Sequence, residues 1–333
     1  TTINAGTLQF AKTASLYNGT AASWTAANIS VAANAALALN VGGTGEFSTG
    51  NVTTILTNLG GLGGSVNNNG LKLNSTIAFD TTNAAGSNFT IADSIVNSTG
   101  TGGGAIKLTK LGTGTLTLSG NNTYTGVTTI NGGTLVLSGN NTNMSGGIAF
   151  SQTAGSNLII GSNNATGTGT MSFYQQGLSI VSSDSSDRII SNQISIGNGA
   201  APTYVFGSAG TGNLTFSSTA NITNAIPASR TFQIDNAWTQ FNGGFISAAS
   251  YTKTGNGTLI LTGNSTYSGN TTISAGTLQI AGTGLLGGGN YSANITNNAN
   301  FVYSSLGNQT LSGIISGTGN LTQNGTGTLT LSS

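Results

Sequence analysis

The chain repeats one segment of its own sequence. Residues 112–137 read GTGTLTLSGNNTYTGVTTINGGTLVL and residues 255–280 read GNGTLILTGNSTYSGNTTISAGTLQI, and the two align without a gap, with Thr115 on Thr258. Residues 1–10, TTINAGTLQF, correspond to the second half of this segment, and residues 325–333, GTGTLTLSS, to its first half. Such self-similarity is typical of array architectures, in which one unit cannot bury a core alone. We therefore expect function on an extended, stacked surface before a pocket.

Alternating apolar and polar residues predict three short strands in each copy. Leu116 and Leu118 share one face of the first strand, Thr128–Ile130 forms the second, and Leu135 and Leu137 point inward from the third. Gly and Asn lie between them, and both residues tolerate the left-handed backbone of sharp corners. This pattern predicts one triangular coil of a parallel β-helix.

The regions between the copies continue the same alternation. The apolar pairs that carry it are Ile148 with Phe150, Leu158 with Ile160, Met171 with Phe173, Tyr204 with Phe206, Leu214 with Phe216, Phe232 with Ile234, and Leu311 with Ile314. At ~20 to 25 residues per coil, the chain makes about 13 to 16 coils. We predict an all-β chain, one continuous β-solenoid over residues 1–333, with aliphatic columns inside and ladders of Thr, Ser and Asn outside.

One stretch, about residues 48–61, breaks this alternation. Its apolar residues at helical spacing are Val52, Ile55, Leu56 and Leu59. Ser48 or Thr49 is a candidate N-cap, and Gly60 or Gly61 follows the end. We predict one short helix near residues 49–59 that lies on the solenoid. Because Val, Thr and Ile are mediocre helix formers, an irregular coil is the alternative.

Composition excludes several classes of function. The net charge is +1, and the chain contains neither Cys nor His. Thiolate chemistry and a serine protease with a histidine base are therefore excluded. No apolar run is long enough to span a membrane. Scattered bases offer little attraction for nucleic acid; they are Lys12, Lys72, Lys107, Lys110, Arg188, Arg230 and Lys253.

Acidic residues are few, and only Asp184 and Asp187 cluster, beside Arg188. A β-helix enzyme that cleaves sugars needs paired acids in a groove. The cluster could bind a cation or a sugar, but a solvated turn is the favoured interpretation. The segment GGTGEF at residues 42–47 faintly resembles a calcium-binding nonapeptide but lacks its Asp. We predict no catalytic residue, no metal site and no cofactor.

Four aromatic residues could stack on sugar rings, namely Trp24, Trp238, Tyr124 and Tyr267. Tyr124 and Tyr267 occupy the same position in the two full copies. This equivalence favours a structural role for both tyrosines, in packing along the edge of the coil.

The two full copies resemble the autotransporter-associated β-strand repeat, with Gly-Thr-Leu-x-Leu, Asn-Thr-Tyr-x-Gly and Thr-x-Ile-x-x-Gly-Thr-Leu in that order. This repeat occurs in passenger domains of type V secreted proteins and in very large surface proteins of Gram-negative bacteria. The resemblance implies a right-handed parallel β-helix outside the cell, used as a stalk and for vectorial folding during export. It implies no ligand.

The two partial copies would restore the repeat if one were joined to the other. Either a longer covalent solenoid continues through them, or separate chains stack head to tail by strand addition. The candidate assembly residues are Thr1, Thr2, Ile3, Leu8, Phe10, Leu329, Leu331 and Ser333.

These patterns predict an extracellular, structural β-solenoid at a bacterial cell surface, which forms a fibre, filament or stalk, is adhesive and is not an enzyme. Its expected partners are itself or the flanking repeats of a longer chain, and glycans or proteins on host or neighbouring cells. We expect neither nucleic acid binding nor membrane insertion. A carbohydrate-active β-helix enzyme and a passive secretion spacer are the alternatives.

Overall fold

The computed structural model describes residues 1–63, 70–99, 102–151, 155–174, 177–197, 202–224 and 228–333. The chain is nearly all β and folds as a parallel β-solenoid of about ten turns, which confirms the predicted fold class. It divides into two compact units. Unit 1 comprises Thr1–Ser151 and Ser156–Gly169, and Thr170–Ser333 forms nearly all of unit 2.

Unit 1 contains three parallel sheets whose strands follow each other in chain order. Sheet 1A consists of Thr7–Phe10, Ala36–Asn40, Thr76–Asp80, Lys107–Leu111, Thr128–Asn131 and Ile148–Phe150. Sheet 1B consists of Asn88–Ile91, Thr115–Leu118, Thr134–Leu137 and Ser156–Ile160. Sheet 1C consists of the short strands Thr2–Ile3, Ser30–Val31 and Gly70–Leu71. Short 3₁₀ turns span Thr13–Ser15, Tyr17–Gly19, Ala21–Ser23 and Ala85–Ser87.

Unit 2 is built in the same way from three main parallel sheets. Sheet 2A consists of Met171–Phe173, Ile194–Ile196, Ile222–Asn224 and Phe245–Ile246. Sheet 2B consists of Leu178–Ser182, Thr203–Phe206, Arg230–Ile234, Tyr251–Thr254, Thr271–Ile273, Ile295–Asn297 and Ile315–Ser316. Sheet 2C consists of Arg188–Ile190, Leu214–Phe216, Trp238–Phe241, Thr258–Leu261, Thr277–Gly282, Asn300–Ser305 and Asn320–Gln323.

Unit 2 also has two smaller parallel sheets and a 3₁₀ turn. One sheet pairs Asn264–Ser265 with Leu285–Leu286. The other joins Asn290–Tyr291, Gln309–Leu311 and Leu329–Leu331. The 3₁₀ turn spans Gly287–Gly289.

The strands bury alternate residues, as the period-two pattern predicts. Leu116, Leu118, Leu135 and Leu137 are all fully buried, and Leu116 pairs directly with Leu135. The predicted apolar pairs between the copies are buried too, with one exception. Ile314 is 63% exposed, because the strand after Gln309–Leu311 begins only at Ile315 and leaves Ile314 in the connecting turn. The prediction that Ile314 points inward is therefore wrong.

The turns are fewer than the sequence predicts because the first ones are long. Phe10 pairs with Leu39, Leu39 with Phe79, and Phe79 with Lys110, so each of these turns spans a long stretch of chain. The next turn, which sets Lys110 beside Ile130, is much shorter. The long turns carry the helix and the 3₁₀ turns of unit 1, which add residues without adding a coil.

The predicted helix is present as α1, Thr49–Leu59, and it packs Val52, Ile55, Leu56 and Leu59 against unit 1. Ser48 Oγ accepts a hydrogen bond from the Asn51 amide, and Asn51 Oδ1 accepts one from the Ser48 amide, which completes a capping box. Gly60 ends the helix in the left-handed conformation, with φ +89°. Caps and tertiary burial therefore compensate for the modest helix propensity of Val, Thr and Ile.

Aromatic rings fill the core of unit 2. The rings of Phe216 and Phe241 stack with their centroids 4.6 Å apart, and those of Tyr251 and Tyr267 meet edge to face at 4.7 Å. Tyr267 also contacts Tyr291, at 5.4 Å. Such pairs add stability beyond the area that they bury.

Candidate functional site

The most distinctive polar feature of unit 1 is a buried amine at a corner of the solenoid, Lys110, on the inner side of sheet 1A. Its side chain is 0% exposed, and its row of paired residues places it between Phe79 and Ile130. Lys110 Nζ donates to the carbonyl oxygens of Leu111 at 2.8 Å, Gly112 at 2.7 Å and Gly132 at 3.2 Å. The first two oxygens belong to its own corner, and the third belongs to the next turn.

Unit 2 repeats this arrangement at Lys253, the equivalent position beside the second full copy. Lys253 lies between Phe232 and Ile273 in sheet 2B and is 2% exposed. Its Nζ donates to the carbonyl oxygens of Thr254 at 2.7 Å, Gly255 at 2.8 Å and Ala275 at 3.1 Å. We call each such site, one ammonium with three carbonyl acceptors, a lysine corner.

A glycine closes each lysine corner from the next turn. Gly133 and Gly276 have φ of +64° and +66°, a backbone region that favours glycine. A Cβ on either residue would lie 2.8 Å from the lysine Nζ and 2.4 to 2.5 Å from two carbonyl oxygens. Glycine therefore allows the corner of one turn to rest directly on the amine of the turn before it.

The third copy of the segment carries a neutral side chain in this place. Gln323 pairs with Tyr303, as Lys253 pairs with Phe232. Its Nε2 donates to the carbonyl oxygens of Gly325 and Gly327. An amide donor thus takes the equivalent sequence position, although Gln323 is exposed and both of its acceptors lie in its own corner.

The charge state of the amines follows from two opposing effects. Burial lowers the pKa of Lys110 and of Lys253 to about 8, and the charges of Asp80 and Asp235 raise it in turn. Among the described residues, neither amine forms an ion pair with a carboxylate. Three carbonyl acceptors match the three donors of the charged form. At neutral pH each lysine corner therefore holds an ammonium ion that is stabilised mainly by hydrogen bonds to peptide carbonyl oxygens.

The sequence alone leaves these two lysines among the scattered bases and does not reveal their role. A signal for it exists, because Lys110 and Lys253 are separated by the same interval as the two full copies. Extending the alignment a few residues toward the N-terminus pairs TKLG with TKTG and brings both lysines into the repeat.

The repeated tyrosines are structural, as their equivalence predicts. Tyr124 is fully buried and its hydroxyl bonds Thr128 Oγ1 at 2.6 Å. Tyr267 is 2% exposed and bonds Thr271 Oγ1 at 2.7 Å, and the Tyr291 hydroxyl also contacts Thr271 Oγ1. Burial raises the pKa of Tyr124 far above its usual value. Neither tyrosine is available to a sugar.

Asparagines form a ladder inside unit 1, whereas the sequence predicts ladders outside. Asn122 Oδ1 accepts from the Ile95 amide at 3.0 Å, and Asn141 Oδ1 accepts from the Asn122 amide at 2.7 Å. Asn141 Nδ2 donates to the Ala165 carbonyl at 2.6 Å. Both asparagines are fully buried. They satisfy backbone groups at the corners, where strand pairing stops.

The outer ladder is also present, on sheet 2B. Its rungs pair in register and are half-buried or exposed; they are Thr203, Thr231, Thr252, Thr272, Thr296 and Ser316.

Six of the candidate assembly residues lie on outer strands of the sheets, and Thr1 and Ser333 lie beside such strands. Strand Thr7–Phe10 is the first of sheet 1A, where Leu8 is 39% exposed and Phe10 is buried. Strand Leu329–Leu331 pairs on one side with Gln309–Leu311, and Leu331 is 53% exposed. Of the others, Ile3 is buried, Leu329 is half-buried, and Thr1, Thr2 and Ser333 are exposed.

The acidic cluster forms an exposed turn. Asp184 accepts from the Ser186 amide at 2.7 Å and pairs with Arg188 at 2.7 Å. Hydrogen bonds from Ser186 and Ser183, and then the charge of Arg188, lower the pKa of Asp184 to about 2. Asp187 accepts from the amide and the side chain of Asn213. Both carboxylates thus have partners in their own turn or in the next coil.

Two further features bear on ligand binding. A cavity of about 20 Å³ in unit 2, lined in part by Phe245, Tyr251 and Tyr267, has room for about one water molecule.

Glu46, in the segment that resembles a calcium motif, accepts hydrogen bonds from the Gly43 amide and from Asn83. Within the described ranges, no three His, Cys, Asp or Glu side chains gather as a metal-binding group. None of the helices in the described part of the chain has the length and hydropathy of a membrane span.

Comparison with known families identifies the repeat. The passenger-associated-transport-repeat family matches residues 108–137, 252–280 and 321–333. Each match begins in the strand that carries Lys110, Lys253 or Gln323, so the lysine corners belong to the repeat. The comparisons with curated proteins and with solved structures find no match to this chain.

Proposed function

Because this chain carries three passenger-associated-transport repeats on a parallel β-solenoid, we propose that it is a structural segment of an autotransporter-type passenger. Proteins with such repeats are secreted or exposed at the cell surface. In our proposal the segment forms part of an adhesive surface fibre or stalk and carries contacts to glycans or proteins on host or neighbouring cells. The matched repeats are the observation that carries this proposal.

The physical properties of the solenoid support a mechanical role. Each turn bonds to its neighbours through parallel backbone hydrogen bonds, and buried apolar columns line the inside of each unit. Only 4% of the residues are charged, so little electrostatic repulsion opposes the stacking of turns. Apart from the long first turns of unit 1, the corners are short and rich in glycine and leave few loops for proteases.

The outer strands support a mode of assembly. We propose that strands Thr7–Phe10 and Leu329–Leu331 receive further turns, either from flanking repeats of a longer chain or from a second copy. Leu8 and Leu331 are exposed there, and a stacked turn would bury both. Parallel strand addition without closure produces open filaments.

A catalytic role has weaker support. The repeat family is associated with structural passengers. A sugar-cleaving β-helix needs two acids free to act on one substrate, whereas Asp184 and Asp187 are engaged by Arg188 and Asn213.

Assembly is tested with Leu331→Lys, which places a charge on the proposed stacking strand. Leu306→Lys is the matched control, because Leu306 is 63% exposed but lies after strand Asn300–Ser305 and not on an outer strand. Light scattering and electron microscopy should show concentration-dependent rods for the parent chain and for Leu306→Lys, and single units for Leu331→Lys. Assembly that resists Leu331→Lys would refute strand addition at this edge.

Adhesion needs a separate measurement. Beads coated with the chain are applied to cultured cells and to bacteria, with beads coated with heat-denatured chain as the control. Retention of the native beads alone supports the adhesive role. Equal retention of both favours a passive spacer.

A further inference from the structure

The strands of the repeat specify their own register poorly. Strand Lys107–Leu111 reads KLTKL and its partner Thr128–Asn131 reads TTIN, with Leu108 on Thr128 and Lys110 on Ile130 inside the solenoid. A slip by two residues that brings Ile130 onto Leu108 would set one apolar side chain on another and keep polar residues outside. Because the side-chain period of a strand is two, such a slip loses little burial.

The lysine corners distinguish the native register from the slipped one. Lys110 Nζ reaches across to the Gly132 carbonyl in the next turn, and Lys253 Nζ reaches the Ala275 carbonyl in the same way. A two-residue slip moves the acceptor by ~6.6 Å along the strand. The buried ammonium would then lose one of its three partners, which costs far more than exchanging one apolar contact for another.

We propose that Lys110 and Lys253 are positioning residues that fix the register of the turn stacked on them. An apolar side chain between Phe79 and Ile130 would pack well in more than one register. A buried charge is satisfied in only one register, and register specification is the best-attested use of buried polar groups. Gly133 and Gly276 complete the device, because any Cβ there would collide with the amine.

This role does not depend on the location of the protein. It means that each repeat with a lysine corner carries a residue that sets the register of the next turn. Low-complexity alternation of Thr and Leu otherwise permits alternative pairings. A lysine corner in two of the three matched repeats would stop an error in one turn from passing into the next. Gln323 has no such bond to a further turn, because it is exposed and both of its acceptors lie in its own corner.

The test uses engineered cysteine pairs, since the chain has no cysteine of its own. Thr109 and Thr129 are in-register neighbours on the outer face of sheet 1A, ~4.8 Å apart, so Thr109→Cys with Thr129→Cys reports native pairing. Thr109→Cys with Asn131→Cys reports a two-residue slip, because these positions are ~8 Å apart in the native register and too far for a disulfide. Each pair is oxidised during refolding with Lys110, with Lys110→Met and with Lys110→Gln.

We expect Lys110→Met to raise the yield of the slipped disulfide by roughly tenfold or more, the factor for one charge-assisted hydrogen bond. Lys110→Gln, which keeps a donor but loses the charge, should give a yield of slipped disulfide between those of the parent and Lys110→Met. If Lys110→Met lowers stability but forms only the native disulfide, the lysine stabilises without setting register and the proposal fails.

Aggregated material remains informative, because its disulfides can be mapped after proteolysis. Slipped disulfides in the aggregate support the proposal, and native disulfides alone refute it. Lys253→Met with Thr252→Cys and Thr272→Cys, against Thr252→Cys and Ser274→Cys, repeats the test in unit 2. The same outcome is expected there.

Discussion

Replacing Gly133 by alanine tests how closely successive turns approach at a lysine corner. Gly133 has φ +64°, and an added Cβ would lie 2.4 Å from the Gly114 carbonyl oxygen and 2.5 Å from that of Gly112. Gly6 occupies the same place in the partial copy, with φ +66°, but nothing lies within 4 Å of its Cβ position. The two substitutions therefore share the backbone strain, and only Gly133→Ala adds the collision.

The expected magnitudes follow from these two terms. A left-handed alanine costs about 1–2 kcal/mol, which is the whole expected effect of Gly6→Ala. Gly133→Ala adds the displacement of backbone atoms in the turn below, about 1–3 kcal/mol by analogy with overpacked cores, for a total of about 2–5 kcal/mol. Lys110 would also have to move, because its Nζ lies 2.8 Å from the new methyl position.

Amide hydrogen exchange measures both effects locally. The Asn157 amide donates to the Gly133 carbonyl at 2.8 Å, and the Ala36 amide donates to the Gly6 carbonyl at 2.8 Å. The free energy of opening at Asn157 should fall more in Gly133→Ala than that at Ala36 falls in Gly6→Ala. Equal decreases in the free energy of opening at Asn157 and at Ala36 would show that successive turns are not in close contact at Gly133.

Other expected outcomes concern buried polar groups. The lowered pKa of Lys110 and Lys253 means that the unfolded chain binds more protons between about pH 8 and 10, so the free energy of unfolding should rise with pH in that window. Urea titrations should show this rise for the parent chain and not for the double lysine-to-methionine variant. Tyr124→Phe should lower the free energy of unfolding by about 1–2 kcal/mol. Tyr267→Phe should lower it by less, because a second tyrosine already bonds the threonine partner of Tyr267. Equal decreases of stability in thermal unfolding would contradict this. Asn141→Ala should lower stability by about 2–4 kcal/mol, since it strips two buried backbone groups of their partner, and an unchanged denaturation midpoint would argue against the ladder.

The parts of the fold that sequence predicts are those set by local periodicity. Leu116 and Leu118 indicate a half-buried strand by alternation, and the spacing of Val52, Ile55 and Leu59 indicates a helix. Both patterns depend only on near neighbours along the chain. Structure and sequence therefore agree on the solenoid and on helix α1.

The parts that sequence misses depend on contacts between turns. Alternation places Lys110 on the same strand face as Leu108, but lysine is normally exposed, and one acceptor of its amine is a carbonyl of the next turn that the local sequence does not show. Asparagine is also normally exposed, so residue type predicts that Asn122 and Asn141 lie outside. Both point inward instead, because they bond backbone groups that the corners leave without a strand partner. The coil count fails because the first turns are long: helix α1 and the 3₁₀ turns Thr13–Ser15, Tyr17–Gly19 and Ala21–Ser23 add residues without adding a turn.

The excursion that contains helix α1 shows how this scaffold accommodates extra sequence. The chain leaves sheet 1A after Asn40 and returns to it at Thr76 in register with Ala36, so the strands on either side stack as if nothing had intervened. The entropy cost of such a detour grows only with the logarithm of its length. Corners of this kind are natural points at which evolution, or an engineer, can graft a foreign peptide or a whole domain onto a rigid support.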